Sequence, residues 1–175
     1  MKVFIGGARQ IHSLDQDVTK KLNNILTKGY DILVGDANGI DASVQKYYYD
    51  NGYRNVTIYA SNGKARNNVG NWEIQPVKVD SGVTGFDFYA AKDLKMAQDS
   101  DCGFMIWNGK SRGTWNNVLN LCDREKLVVL YVSFEKRFYK IFNTQQAIEI
   151  KKQIEYSITS PRTYDGSDHA QLHLF

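Results

Sequence analysis

Little in this chain points to a membrane, a metal or a disulfide framework. No apolar run approaches the ~20 residues of a membrane span. Cysteine occurs twice, as Cys102 in a stretch with strand pattern and Cys122 in one with helical pattern. Buried free thiols in a reducing compartment fit that placement better than a bridge. Of the three histidines, His12 stands alone beside a predicted helix start. His169 and His173 lie four apart with no second ligand pair, so no metal site is expected. No cofactor is implied. Charge of one sign is also missing: the net +3 and pI near 8.7 are too mild, and too evenly spread, for a dedicated nucleic-acid surface. There are no internal repeats. Met1-Lys2-Val3-Phe4-Ile5 runs directly into a strand pattern without a signal peptide, and a cytoplasmic protein is expected.

What is present suits a globular domain. The chain has 175 residues, 42% hydrophobic and 23% charged, enough for one proper core. Aromatics reach 13%, mostly tyrosine, which favours a pocket for flat ligands or an amphipathic surface. Strand patterns at 2–5, 30–34, 55–60, 102–107 and 127–133 alternate with helical patterns at about 13–28, 41–50, 86–100 and 143–155. Ser13 is expected to cap the first helix, with Gln16 reaching back as a capping box. Residues 61–72 form a long polar loop, and 73–79, with Pro76, an edge strand or none. Several strands are apolar throughout. The expected class is α/β: a Rossmann-like three-layer fold around a mostly parallel sheet. The organisation expected is a domain over 1–142, a C-terminal helix over 143–155 and a flexible tail over 156–175.

The chemistry concentrates after strands. Gly109-Lys110-Ser111-Arg112-Gly113-Thr114 joins an apolar strand to a helical segment containing Trp115, Val118, Leu119 and Cys122. Glycines let backbone N–H groups converge, and the helix start adds unpaired N–H groups and a positive dipole end, so the turn suits a phosphate. The plainer reading is that Thr114 caps the helix and the cations are solvated. Two further loops, 6–9 and 35–41, also leave strands on glycine and polar residues. Connection rules place all three at one sheet edge, where such folds bind ligands. Asp36 and Asp41 are the carboxylates placed for acid–base chemistry or for ribose hydroxyls, with helix capping the alternative for Asp41. Arg9 reads as a phosphate clamp or a surface cation. Arg66 and Trp72 read as a lid over a base, or Trp72 as a satellite core residue; Trp107 is expected to pack.

The segments Val3–Arg9, Gly35–Asp41 and Met105–Thr114 resemble the SLOG superfamily, the Rossmann-like group that includes the Smf/DprA DNA-processing proteins and the "lonely guy" phosphoribohydrolases. The resemblance covers roughly residues 1–140. It implies a bound nucleotide or nucleotide-derived signal, bordered by Gly6, Gly7 and Arg9, with Gly35, Asp36, Gly39 and Asp41 as the second wall. Ser111, Gly113 and Thr114 would hold the phosphate, and related proteins often pair as homodimers. In the hydrolases the Gly-Thr turn leads into a glutamate that works on the ribose. Asn116 and Asn117 stand in its place, and Asn117 can hydrogen-bond a ribose hydroxyl but cannot act as base or carboxylate nucleophile. Binding without turnover is therefore expected, as a sensor or adaptor. The alternatives are a nucleotide N-glycosidase or deoxyribosyltransferase-like enzyme using Asp36 or Asp41, and single-stranded DNA binding of the DprA kind.

The tail adds a second resemblance. Gln171-Leu172-His173-Leu174-Phe175 is similar to the peptide by which bacterial replication and repair proteins dock on the DNA polymerase sliding clamp. Gln171 would anchor by hydrogen bonds while Leu172, Leu174 and Phe175 fill apolar pockets. The alternative is that these side chains fold back on their own domain.

Overall fold

Strands that are apolar on both faces require cover on both sides, and the chain provides it. The computed structural model describes residues 1–159, and among them seven strands and five helices follow one another. In order they are β1 (Lys2–Gly7), α1 (Gln16–Thr27), β2 (Asp31–Gly35), α2 (Ile40–Asp50), β3 (Val56–Ser61) and β4 (Glu73–Val77). Then come α3 (Gly85–Asp99), β5 (Cys102–Trp107), α4 (Arg112–Cys122), β6 (Val128–Val132), β7 (Arg137–Ile141) and α5 (Thr144–Thr159). The sheet order is β4-β3-β2-β1-β5-β6-β7. Every pairing is parallel except β6 with β7. The α/β class and three-layer, mostly parallel architecture expected from the sequence are what the chain adopts.

Side-chain alternation along each strand sorts the core into two layers. Val3, Ile5, Ile32, Val34, Phe104 and Ile106 pack with Val18, Leu22 and Ile25 of α1 and Val44 and Tyr48 of α2. Their neighbours Phe4, Leu33, Met105, Trp107, Leu130 and Val132 face the other way. There they meet Met96 and Ala97 of α3, Val118 and Leu121 of α4, and Ala147 and Ile154 of α5. Each large side chain so buried contributes about 1.5–3 kcal/mol. Trp107 packs as expected, 2% exposed, with its ring 4.9 Å from that of Trp115. No helix among the described residues is long and apolar enough to cross a membrane.

Three local expectations change. The first helix does not start at a capping box: Asp15 occupies the N-cap without a side-chain cap bond, and Gln16 is the first helical residue. The Asp15 carboxylate instead accepts from the Tyr131 hydroxyl at 2.7 Å, which ties the helix start to β6. β7 is a strand the periodicity did not reveal, because Phe138 and Tyr139 are half-buried between charged residues on the antiparallel edge and only Ile141 is fully buried. Finally, α5 runs to Thr159, past residue 155. The Ser157 hydroxyl donates to Glu135 at 2.8 Å and fastens this last turn to the β6–β7 connection. Residues 171–175 lie outside the described residues. Pro76 sits, as expected, on an edge strand, where its missing N–H leaves no ladder bond unmade.

The step from β4 at one edge to β5 beside β1 reverses the direction in which strands are added. The carboxyl ends of β1 and β5 therefore flank the topological switch point, where open parallel sheets form a crevice.

Candidate functional site

The three glycine-bearing loops meet at that crevice. Gly7 has no room for a side chain: an added Cβ would lie 2.8 Å from Ile40 and closer still to the Ile106 carbonyl. The first loop therefore runs against both β5 and α2. Gly39, at φ +78°, presses on the Arg9 backbone, and Ile40 N–H donates to the Ala8 carbonyl at 3.3 Å. The third loop is joined to the first by Asn108, whose amide donates to Gln10 at 2.8 Å. Backbone contacts hold the first two loops together, and a side-chain bond ties the third to them.

Together with α3 they enclose a cavity of ≈ 790 Å³ lined by residues of all three loops. Gly6, Gly7, Arg9, Asp41, Ser111, Gly113, Thr114 and Asn117, each expected at a ligand, line it. Gly35, Asp36 and Gly39 stand behind the lining and support it. Trp72 is not a lid. It is buried beneath α2, its indole N–H donating to the Tyr53 carbonyl at 3.1 Å, because the chain turns it inward to complete the core. Arg66 does reach the site, but as a strut: its guanidinium lies 4.2 Å from the Tyr89 ring, and the Arg9 guanidinium lies 5.2 Å from the same ring.

At the third loop, the Asn108 carboxamide oxygen accepts from Lys110 N–H at 3.0 Å and Ser111 N–H at 2.8 Å. This turn, with Gly109 at φ +78°, aims α4 at the cavity. The cap is Ser111 and not Thr114: Ser111 Oγ accepts the Thr114 N–H at 3.3 Å and its hydroxyl at 2.9 Å. The N–H groups of Arg112 and Gly113 precede any carbonyl the helix can offer. Lys110 and Arg112 are exposed beside them, and α4 has no acidic residue in its first turn.

The opposite wall is a buried ionic cluster. Lys92 of α3 is 3% exposed and donates to Asp93 at 2.6 Å, with Asp36 at 3.9 Å and Asp41 at 4.0 Å. Asp36 accepts the Arg66 backbone N–H at 3.0 Å and two guanidinium bonds at 3.0 and 2.7 Å. Burial would push its carboxyl up, but the Arg66 bonds and the Lys92 charge outweigh that and hold it below the usual range. Among the described residues, Asp41 accepts only the Ala37 N–H, at 3.2 Å. Burial pushes its carboxyl up to about 6, opposed by Lys92 and reinforced by Asp93. Burial disfavours the Lys92 ammonium, yet Asp93 and Asp41 raise its pKa above the ordinary value. Asn117 completes the wall by donating to Asp93 at 3.3 Å.

The cavity residues of α3 (Phe86, Tyr89, Lys92 and Asp93) were not singled out from the sequence. A signal existed: Lys92 is one helical turn before Met96, on the face that meets the core, and a lysine there needs partners.

No protein-family model matches the chain, and no curated protein matches it. A solved structure does resemble it. The chain is similar in fold to DNA processing protein A from Helicobacter pylori, a protein described for its single-stranded DNA binding mode. The TM-score is 0.58 at 14% identity, over 86% of this chain and 72% of that one. The likeness is one of fold.

Proposed function

We propose that the cavity binds a phosphorylated nucleoside, as a binding protein rather than an enzyme. The carrying observation is the α4 start, where unpaired N–H groups, the helix dipole, Lys110 and Arg112 face one cavity with no acidic counterpart in that turn. The volume falls within the range typical of small-molecule sites. Phosphate would rest on Ser111, Gly113 and Thr114. Asp41, on the far wall, and Asn117, one turn into α4, would meet the ribose hydroxyls; Asp36 is already occupied by Arg66. Titration calorimetry with a nucleoside monophosphate panel tests this. Binding that is lost on Arg112→Glu supports the reading, and no heat with any member overturns it.

The enzyme alternative has one observation in its favour. Asp41 lies on the cavity with its carboxyl pushed up to about 6, a range suited to proton transfer. Against it, positions 116 and 117 carry amides. Release of free base from a monophosphate, abolished by Asp41→Asn, would establish N-glycosidic cleavage.

Single-stranded DNA is the second reading. It is supported by the fold likeness to a single-stranded DNA-binding protein and by exposed Arg9, Lys110 and Arg112 along one rim. An oligonucleotide bound with steep salt dependence, together with silence from every mononucleotide, would make this the function. The resemblance of residues 171–175 to the clamp-docking peptide supports a sliding-clamp partner. Deleting those five residues should abolish capture of the clamp on beads.

A further inference from the structure

Beyond its α4 end, the cavity continues as a groove between α3 and α4 whose two sides differ in chemistry. Phe86, Ala90 and Leu94 line it from α3, and Gly113, Asn116 and Asn120 from α4. Phe86 and Leu94 are 41% and 43% exposed, although both sit on the cavity wall. Phe86 lies over the α4 start, with the Arg112 guanidinium 4.4 Å from its ring, and an added Cβ on Gly113 would still be 3.9 Å from it. The glycine leaves the groove open where a longer residue would close it.

Asn116 and Asn120 are one helical turn apart, which puts their Cβ atoms about 5–6 Å from each other on the same face. Neither side-chain amide has a hydrogen bond among the described residues, whereas the neighbouring Asn117 is engaged with Asp93. Asparagine is a poor helix former, because its amide competes for backbone groups. Two free amides on the cavity face of an 11-residue helix cost local stability with no return from packing. Apolar faces opposite a row of paired donors and acceptors match a flat heterocycle with a polar edge. Asn120 lies about 12 Å along the helix from its start, within reach of the base of a nucleotide whose phosphate sits at that start.

We propose that Asn116 and Asn120 form a base-reading subsite for a purine, whose ring lies against Ala90 and Leu94 in the α3–α4 groove. Two amides offset along the groove span the long edge of a two-ring base, and a one-ring base would satisfy only one of them. This rests on the phosphorylated-nucleoside reading of the same cavity. The subsite sets which nucleotide binds and leaves the grip on phosphate to the α4 start.

Calorimetry with AMP, GMP, CMP, UMP and ribose 5-phosphate tests it. One purine nucleotide should bind at least about tenfold more tightly than UMP and ribose 5-phosphate, the discrimination a good amide–base pair supplies. In Asn116→Leu/Asn120→Leu that preference should collapse while ribose 5-phosphate binds as before. Asn116→Asp and Asn120→Asp, which keep size and fold but replace donors with acceptors, should shift the AMP-to-GMP ratio by a similar factor. Equal binding across the panel, or an unchanged preference in all these variants, overturns the subsite while leaving the phosphate site standing. Silence from every compound, ribose 5-phosphate included, overturns both.

Discussion

The two walls of the cavity are built from the same kind of unit, a strand running into a glycine-bearing loop and a helix, and they end in opposite electrostatic states. On one wall, Asp36 and Asp41 of the β2–α2 loop and helix start, with Asp93 of α3, are gathered around the buried Lys92 of α3 and, for Asp36, around Arg66. On the β5–α4 wall, Lys110, Arg112 and the helix end face the cavity without an acidic residue in the first turn. A wall whose cations are already paired with its own carboxylates is a scaffold that resists rearrangement. A wall whose charges are unmatched is where an anion lowers the free energy. The contrast separates residues expected to matter for folding from those expected to matter for ligand.

The sharpest way to break that contrast is to remove one lysine from each wall. Lys92→Met leaves Asp41 and Asp93 without their shared cation in a buried setting, and should destabilise the fold by about 3–5 kcal/mol. Lys110→Met should change stability by no more than about 0.5 kcal/mol and weaken ligand instead. Urea unfolding of both variants measures this, and equal losses would dissolve the distinction. The glycines give a smaller version of the same test. A methyl on Gly35 runs into the Asp41 carboxylate and the Lys92 ammonium, so Gly35→Ala should cost about 1–3 kcal/mol. On Gly113 a methyl meets nothing nearer than Phe86 at 3.9 Å. Gly113→Ala should be neutral or stabilising by up to about 1 kcal/mol, with affinity reduced.

Acidity offers the next contrast, within the closed wall itself. The Asp41 carboxyl is pushed from 3.8 to about 6. Between those values the native state holds a proton that the unfolded chain has released, so this group makes stability fall as pH rises from about 4 to about 6. Asp36, held below its usual value by Arg66 despite its burial, acts oppositely: its contribution is present above about 4 and lost as pH falls. Chemical denaturation from pH 4 to 7 should show the falling limb, and Asp41→Asn should remove it. An unchanged limb in that variant would place the titration elsewhere.

How much of this was legible in the sequence depends on how local the signal is. The sheet and its helices could be read because Val3–Ile5, Ile32–Val34 and Cys102–Trp107 carry their burial in their own composition. The convergence of the loops could also be read, since strand order and connection handedness leave few other arrangements. Partnerships across the fold could not. Ser13 had the local pattern of a cap, but Asp15 holds the N-cap position, and a tyrosine 116 residues away claims its carboxylate. Trp72 stood in a polar loop, and only the packing of α2 decides that it turns inward. Lys92 looked like one more charge on an ordinary helix until the Asp36–Asp41 loop was placed against it.

The smallest effect expected belongs to the open wall and concerns a single hydroxyl. Ser111 Oγ caps α4 by accepting the Thr114 N–H and its hydroxyl. Ser111→Ala removes that acceptor and should lower stability by about 1 kcal/mol, while Ser111→Gly, which leaves the cap backbone free to adjust, should cost only a few tenths. The two variants differ less in ligand affinity than in stability, since both lack the hydroxyl proposed to touch phosphate. If Ser111 were only a cap, the affinity of ribose 5-phosphate would be the same in wild type and in Ser111→Gly. A several-fold loss in the glycine variant, at nearly unchanged stability, would assign the hydroxyl to the ligand as well as to the helix.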